Sequence, residues 1–181
     1  MKAKSLSELL VLQLEDLYDA ENQIIKALPK MAEAATDTEL KNAFHQHLSQ
    51  TQNHARRLEQ VLESITGNAK KGDCKGMEGV IKEGNEMIKS GSDPDVKDAA
   101  LITAAQRVEH YEIAGYGSVR TFAQLLGYKQ AQELLEQTLD EEKQTDQKLS
   151  EIAEGINVEA AHGEAVGPAS TTRPGGKRSV A

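Results

Sequence analysis

The stretch LITAAQRVEHYEIAGY, residues 101–116, decides the fold. Turned through about 100° per residue, Ile102, Ala105, Ile113 and Tyr116 gather on one face of a helix. Glu109 falls near the centre of that face, and Glu112 lies one turn away. The stretch therefore reads as a core-facing helix with carboxylates set among its apolar side chains. Both halves of that description recur along the chain.

Working outward, this helix opens near Asp95, just after Pro94, and closes at Gly127. Three further segments keep the helical period. The first spans about Ser5 to Ala35, with Leu10, Leu17, Ile24 and Met31 spaced by sevens, and Pro29 inside it predicts a kink. The second starts at Thr36 or Asp37, where Thr36-x-x-Glu39 reads as a capping box, and stops at Gly67. The fourth covers about Lys129 to Glu154 and ends at Gly155. Composition agrees. Aromatic residues make up 3%, tryptophan is absent, and Ala, Leu, Glu, Gln and Lys dominate, which are strong helix formers and poor strand formers.

Connector lengths give the topology. The first two helices, and likewise the last two, have almost nothing between them, so each pair forms an antiparallel hairpin. Residues 68–94 separate the pairs and contain a short amphipathic piece marked by Met77, Val80, Ile81, Met87 and Ile88. A helix of about 27 residues is roughly 40 Å long, and a linker of this size can run that length. The expected fold is all-α: a ferritin-like antiparallel four-helix bundle over residues 1–154, with a long crossover that contains a short helix. Residues 155–181 turn to Gly, Ala, Ser, Thr and Pro without periodicity and read as a disordered tail with a basic end, Arg173 to Arg178.

With 181 residues the chain suits one domain, and its net charge of −8 argues against nucleic-acid binding by bulk electrostatics. One cysteine, Cys74, permits no internal disulfide and reads as a loop thiol in a reducing compartment. The N-terminus has no apolar run of the signal-peptide kind, and no stretch is apolar enough to span a membrane. The cytoplasm is the expected location.

The candidate chemistry lies in polar residues that interrupt the apolar stripes. Glu21 stands seven after Leu14 and seven before Leu28. His47, Thr51 and His54 break the stripe of Phe44, Leu48, Ala55 and Leu58. Glu142 lies midway between Leu135 and Leu149, with Asp146 one turn on. Glu21, Glu109, Glu112, Glu142 and Asp146 would repel one another in a dry core, because a lone buried carboxylate costs several kcal/mol unless paired, protonated or bound to metal. Arg57 and Arg120 are the nearest candidate counter-charges, too few for five anions. Divalent metal balances such a set, as in carboxylate-bridged di-iron and di-manganese bundles. Each residue alone also has a plainer reading, as a salt-bridged edge carboxylate or a core histidine, and His47 is left open between the two. A weak echo, Asp16-Leu17-Tyr18-Asp19 against Glu109-His110-Tyr111-Glu112, suggests two related hairpins.

Specific blocks carry a resemblance. They are Leu14-x-Asp16-x-Tyr18-x-Ala20-Glu21-x-Gln23, His47-Leu48-x-x-Thr51, Gly76-Met77-Glu78-Gly79, the run from Asp98 to Ala114, and Leu139-x-Glu141-Glu142-Lys143-x-Thr145-Asp146. Over roughly Leu6 to Leu149 the chain resembles the YciF/YciE group of ferritin-like bacterial stress proteins. The resemblance implies a rubrerythrin-like four-helix fold, a homodimer, a di-metal centre and an association with stress. The chain departs from the usual ferritin Glu-x-x-His pairing, with Glu109-x-x-Glu112 and Glu142-x-x-x-Asp146 in its place. The expected ligands are Glu21, His54, Glu109, Glu112, Glu142 and Asp146, holding two iron ions, with manganese the alternative metal. Such a centre would react with peroxide or O₂. The competing expectations are a helical stress protein without a metal site and a module that binds a partner through the crossover or the tail.

Overall fold

The computed structural model describes residues 3–89 and 93–162. Its elements are α1 Leu6–Ala34, α2 Thr38–Thr66, α3 Lys75–Ile88, α4 Pro94–Leu126 and α5 Lys129–His162, and no strand occurs among the described residues. The four long helices and the short crossover helix expected from the sequence are all present. No helix is long and apolar enough to cross a membrane among the described residues.

Local signals set most boundaries. Ser5 caps α1 by accepting from the Glu8 N–H at 3.1 Å. Gly67 and Gly127 close α2 and α4 at φ of +82° and +79°, left-handed conformations that favour glycine. Two expectations need correction. The cap of α2 is Asp37, which accepts from Leu40 N at 2.8 Å, and not Thr36 of the expected capping box. Thr36 is engaged elsewhere, by Asp98 of α4. Pro29 lies inside α1, where the expected span places it. α5 does not stop at Gly155 but runs on to His162, because Ile152 and Ile156 are buried beside Leu149 in the core. Burying Ile156 offsets the roughly 1 kcal/mol that glycine costs inside a helix. The remainder of the expected tail, with its basic end, lies outside the described residues.

Contacts along the helices give their directions. Thr36 meets Asp98 and Leu17 meets Gly115, so α1 and α4 are antiparallel. Glu39 meets Lys148 and Arg57 meets Thr138, so α2 and α5 are antiparallel too. The chain thus leaves α2 at one end of the bundle and enters α4 at the other. On the way Gly72 N donates to Glu15 O at 2.8 Å, and a Cβ at Gly72 would sit 3.0 Å from that carbonyl, so the α1 backbone would have to give way to any side chain there. α3 then runs back along α4, burying Met77.

The core is divided. Ile24, Leu28, Phe44, Leu101 and Leu149 belong to one apolar cluster, and Leu10, Leu14, Leu58, Val119 and Leu135 to another. Each fully buried side chain of this size contributes about 1.5–3 kcal/mol. Along α1 the change of cluster falls between Leu17 and Ala20, next to Glu21, and along α2 it falls between Phe44 and Leu58, where His47, Thr51 and His54 sit. The bundle therefore carries a buried polar layer between two apolar blocks.

Candidate metal centre

Each long helix sends a side chain into this layer from near its middle. α1 supplies Glu21, α2 His47 and His54, α4 Glu109 and Glu112, and α5 Glu142, all buried. His47 and His54 are seven residues apart, about two turns, and therefore share a face, with ring centroids 6.4 Å apart. Thr51, between them, donates its hydroxyl to His47 O at 2.9 Å and so satisfies itself within its own helix.

Two groups of donor atoms form, each with its atoms within 4.8 Å of one another: His47, Glu109, Glu112 and Glu142, and Glu21, His54 and Glu142. Glu142 is common to both. His47 Nε2 is 3.2 Å from Glu109 Oε1 and 4.0 Å from Glu142 Oε2. His54 Nδ1 is 2.8 Å from Glu142 Oε1 and 3.6 Å from Glu21 Oε1. The 3.2 and 2.8 Å approaches are ion pairs when the rings are protonated, and the other two are longer than a hydrogen bond. Glu21 Oε2, Glu109 Oε2, both oxygens of Glu112 and of Glu142, His47 Nε2 and His54 Nδ1 are all buried with no hydrogen-bond partner.

Of the expected ligands, Glu21, His54, Glu109, Glu112 and Glu142 converge, and Asp146 does not. Its half-buried carboxylate accepts from Gln106 Nε2 at 3.1 Å and lies 3.4 Å from the exposed His110 ring. One turn beyond Glu142, it has rotated to the α4 side of α5. His47, which the sequence left open, sits inside the layer. The echo between 16–19 and 109–112 does not extend to the site. Asp16 accepts from Tyr111 and Cys74 at 3.0 and 3.1 Å, and Asp19 accepts from Cys74 N at 3.0 Å. Cys74 is accordingly a buried thiol, not a loose loop residue, and burial pushes its pKa up.

Sequence reasoning missed Glu141. Its Oε2 is 2.8 Å from His54 Nε2, and Arg57 donates to both its oxygens at 2.7 and 2.9 Å. The available signal was the spacing of His54 and Arg57, three apart on one helix face, so that a carboxylate reaching one reaches the other. Arg57 and Arg120 do not neutralise the layer: Arg57 binds Glu141 and Arg120 binds Glu136. On the inner side Tyr116, fully buried, donates to Glu21 Oε1.

Without metal, these carboxylates and rings perturb one another. Burial pushes Glu21 up to about 8, against the pull of His54, and Glu109 up to about 7, against His47. Burial and the neighbouring Glu21 and Glu142 raise Glu112 well above the carboxylate range. Burial works against a charged His47, yet Glu109 outweighs it and the ring is pushed up to about 10. Burial also acts on Glu142, but His54 and His47 prevail and hold it low. The donors are carboxylate oxygens and imidazole nitrogens without a thiolate, a set suited to iron, manganese or zinc. Their orphaned atoms and shared Glu142 fit a pair of such ions.

Comparisons with known proteins agree with this architecture. A family model described as a domain of unknown function (DUF892) matches residues 5–162. Protein YciF of Escherichia coli (strain K12) is 47% identical over 154 residues, covering 84% of this chain and 93% of the relative. The crystal structure of the E. coli stress protein YciF superposes with a TM-score of 0.83 at 45% identity, covering 86% of this chain and 99% of that one. YcfI from Rhodopseudomonas palustris gives a TM-score of 0.79 at 40% identity, over 81% of this chain and 94% of the other. With the helical bundle, the motif blocks and these matches in agreement, the chain belongs to the YciF family.

Proposed function

We propose that the polar layer is a ferritin-like two-metal centre, with iron the metal expected, and that the protein uses it against peroxide or O₂. The observation that carries this reading is the set of orphaned donors: buried carboxylates from three helices and two buried imidazoles face one another with no hydrogen-bond partner for the atoms that converge. A fold does not retain such a set cheaply, since each unsatisfied buried polar group costs about 1–3 kcal/mol, more when charged. Bound iron supplies one-electron redox chemistry toward such oxidants. Manganese suits the same oxygen and nitrogen donors.

The chain's own groups have separate tasks. Glu142 joins the two donor groups. Glu141 engages His54 at Nε2 and so turns Nδ1 inward, the outer partner that orients a ligating histidine. Arg57 fixes Glu141 in turn. Tyr116 occupies Glu21 Oε1 and leaves Oε2 as the free donor. The apolar clusters on either side keep water out, which strengthens every charge interaction in the layer. The E. coli relative is described as a stress protein, and consumption of an oxidant would give this chain the same association.

A metal-free bundle is the competing reading. It draws on the rise of Glu21 and Glu109 to about 8 and 7, which keeps Glu21 mostly and Glu109 partly protonated near neutrality. Metal analysis after chelator-free purification, and again after anaerobic Fe(II) reconstitution, separates the two. The wild type is expected to hold about two equivalents, and the volume-conserving Glu109→Gln/Glu142→Gln variant none. A wild type that neither carries nor takes up metal overturns the centre.

A further inference from the structure

A cavity of about 190 Å³ adjoins the polar layer, with all five helices contributing to its wall. Ile24, Leu28, Phe44, Val108 and Leu149 give it an apolar part, His47 and Glu109 stand in the same wall, and polar side chains such as Gln50, Asn85 and Lys148 complete it. The space exists because Ala43, Ala104, Ala105 and Gly84 line it where larger residues would fill it. His47 and Glu109 are 3% and 1% exposed, and His47 Nε2 and Glu109 Oε2 have no hydrogen-bond partner. The cavity therefore combines an apolar part with two buried, unpartnered polar groups and a further set of polar side chains in its wall.

Size and charge narrow the occupant. An apolar cavity of about 150 Å³ stays dry and accepts benzene, so this one has room for a single ring bearing a small substituent. An organic anion meets Glu109 in the wall, and the one lysine that lines the cavity, Lys148, is already paired with Glu39 at 3.5 Å; an organic cation would be stripped of water by the apolar part of the wall. A neutral molecule with one polar group meets neither obstacle, and in the metal-free protein its O–H can pair with a group that is otherwise left unsatisfied. We propose that this cavity is a binding site for a small neutral phenol, its ring against the apolar wall and its hydroxyl toward His47 and Glu109. The binding of such a molecule does not rest on the two-metal reading.

The test is titration of the full-length chain, metal-free and iron-loaded, with phenol, benzene and benzoate, read by the thermal midpoint and by methyl chemical shifts. Phenol is expected to bind saturably, to raise the midpoint more than benzene, and to shift the methyls of Leu28, Val108 and Leu149, while benzoate does neither. Ala105→Leu and, separately, Ala43→Leu fill the space and are expected to weaken phenol about tenfold or more. No saturable phenol binding by the wild type overturns the proposal, as does undiminished binding in both filled variants. Should a filled variant fail to fold, methyl shifts confined to residues remote from the cavity overturn it. Metal content measured on the same samples separates the readings. Phenol binding without metal uptake removes the two-metal centre and keeps the cavity, and metal uptake without phenol binding does the reverse.

Discussion

Asp98 and Glu112 are both buried carboxylates on α4, 1% and 0% exposed, and they are buried on opposite terms. Asp98 reaches the turn between α1 and α2, where it accepts from Thr36 N at 2.9 Å, Asp37 N at 2.6 Å and Thr36 Oγ1 at 2.6 Å. Those backbone N–H groups are free because α2 is only beginning there, and a helix start favours negative charge. Glu112 lies mid-helix among other mid-helix residues, whose backbone donors are consumed by their own helices. Both of its oxygens are without partners. Burial of a carboxylate is structural where chain ends offer donors. In the middle of a bundle it must be satisfied by a side-chain donor, as Tyr116 does for Glu21, or by a proton, a cationic side chain or a metal.

That contrast can be broken by substitution. Asp98→Ala leaves three donors at the hairpin turn unpaired. It is expected to cost about 3 kcal/mol, a fall in Tm of roughly 10 °C, in metal-free and metal-loaded protein alike. Metal stoichiometry should stay unchanged; a drop in metal content with intact stability would erase the distinction. Glu112→Leu should act in the opposite sense. Removing an unsatisfied carboxylate from the core is expected to stabilise the metal-free protein by about 1–2 kcal/mol while metal uptake falls, as followed by chemical denaturation and metal analysis.

pH sharpens the same point with a smaller effect. Glu21 and Glu109 have folded-state values raised from 4.5 to about 8 and 7, so their protonated forms favour folding. Their contribution is complete below pH 4.5 and is lost as pH rises through 7 and 8. His47, raised to about 10, acts in the same direction at higher pH. Glu141 and Glu142 are held low and contribute a loss only as pH falls below 4.5. The Tm of metal-free protein should therefore decline between about pH 4.5 and 8, and metal loading should flatten that decline, because bound cations replace the protons. Parallel curves for the two forms would count against metal in the layer. The smallest effect is expected from Asp146→Asn, within about 0.5 kcal/mol and with full metal content, since among the described residues its half-buried carboxylate meets Gln106 and His110 and no donor of the layer.

Much of this was legible before any coordinates. The apolar stripes, the hairpins and the crossover were readable because helical period and connector length are local properties. The inward direction of Glu21, Glu109, Glu112 and Glu142 followed from the same period. Asp98 could be quoted as part of a motif, but its task could not be read, because its partners lie 61 and 62 residues away in sequence. Glu141 was hidden for a similar reason: beside Glu142 it resembles any exposed glutamate until α2 brings His54 and Arg57 against it.

By itself, then, the sequence determined four long amphipathic helices, the short helix in their crossover, and a set of carboxylates turned into the core. Tertiary structure alone decided that His47 joins the layer and Asp146 leaves it, that Glu142 serves both donor groups, and that α5 continues past Gly155. The physical reason is axial register. A helix fixes the angle of its own side chains about its axis, but the height at which it packs on its neighbours is set by the fit of the whole core, and a shift of one turn exchanges one candidate ligand for another.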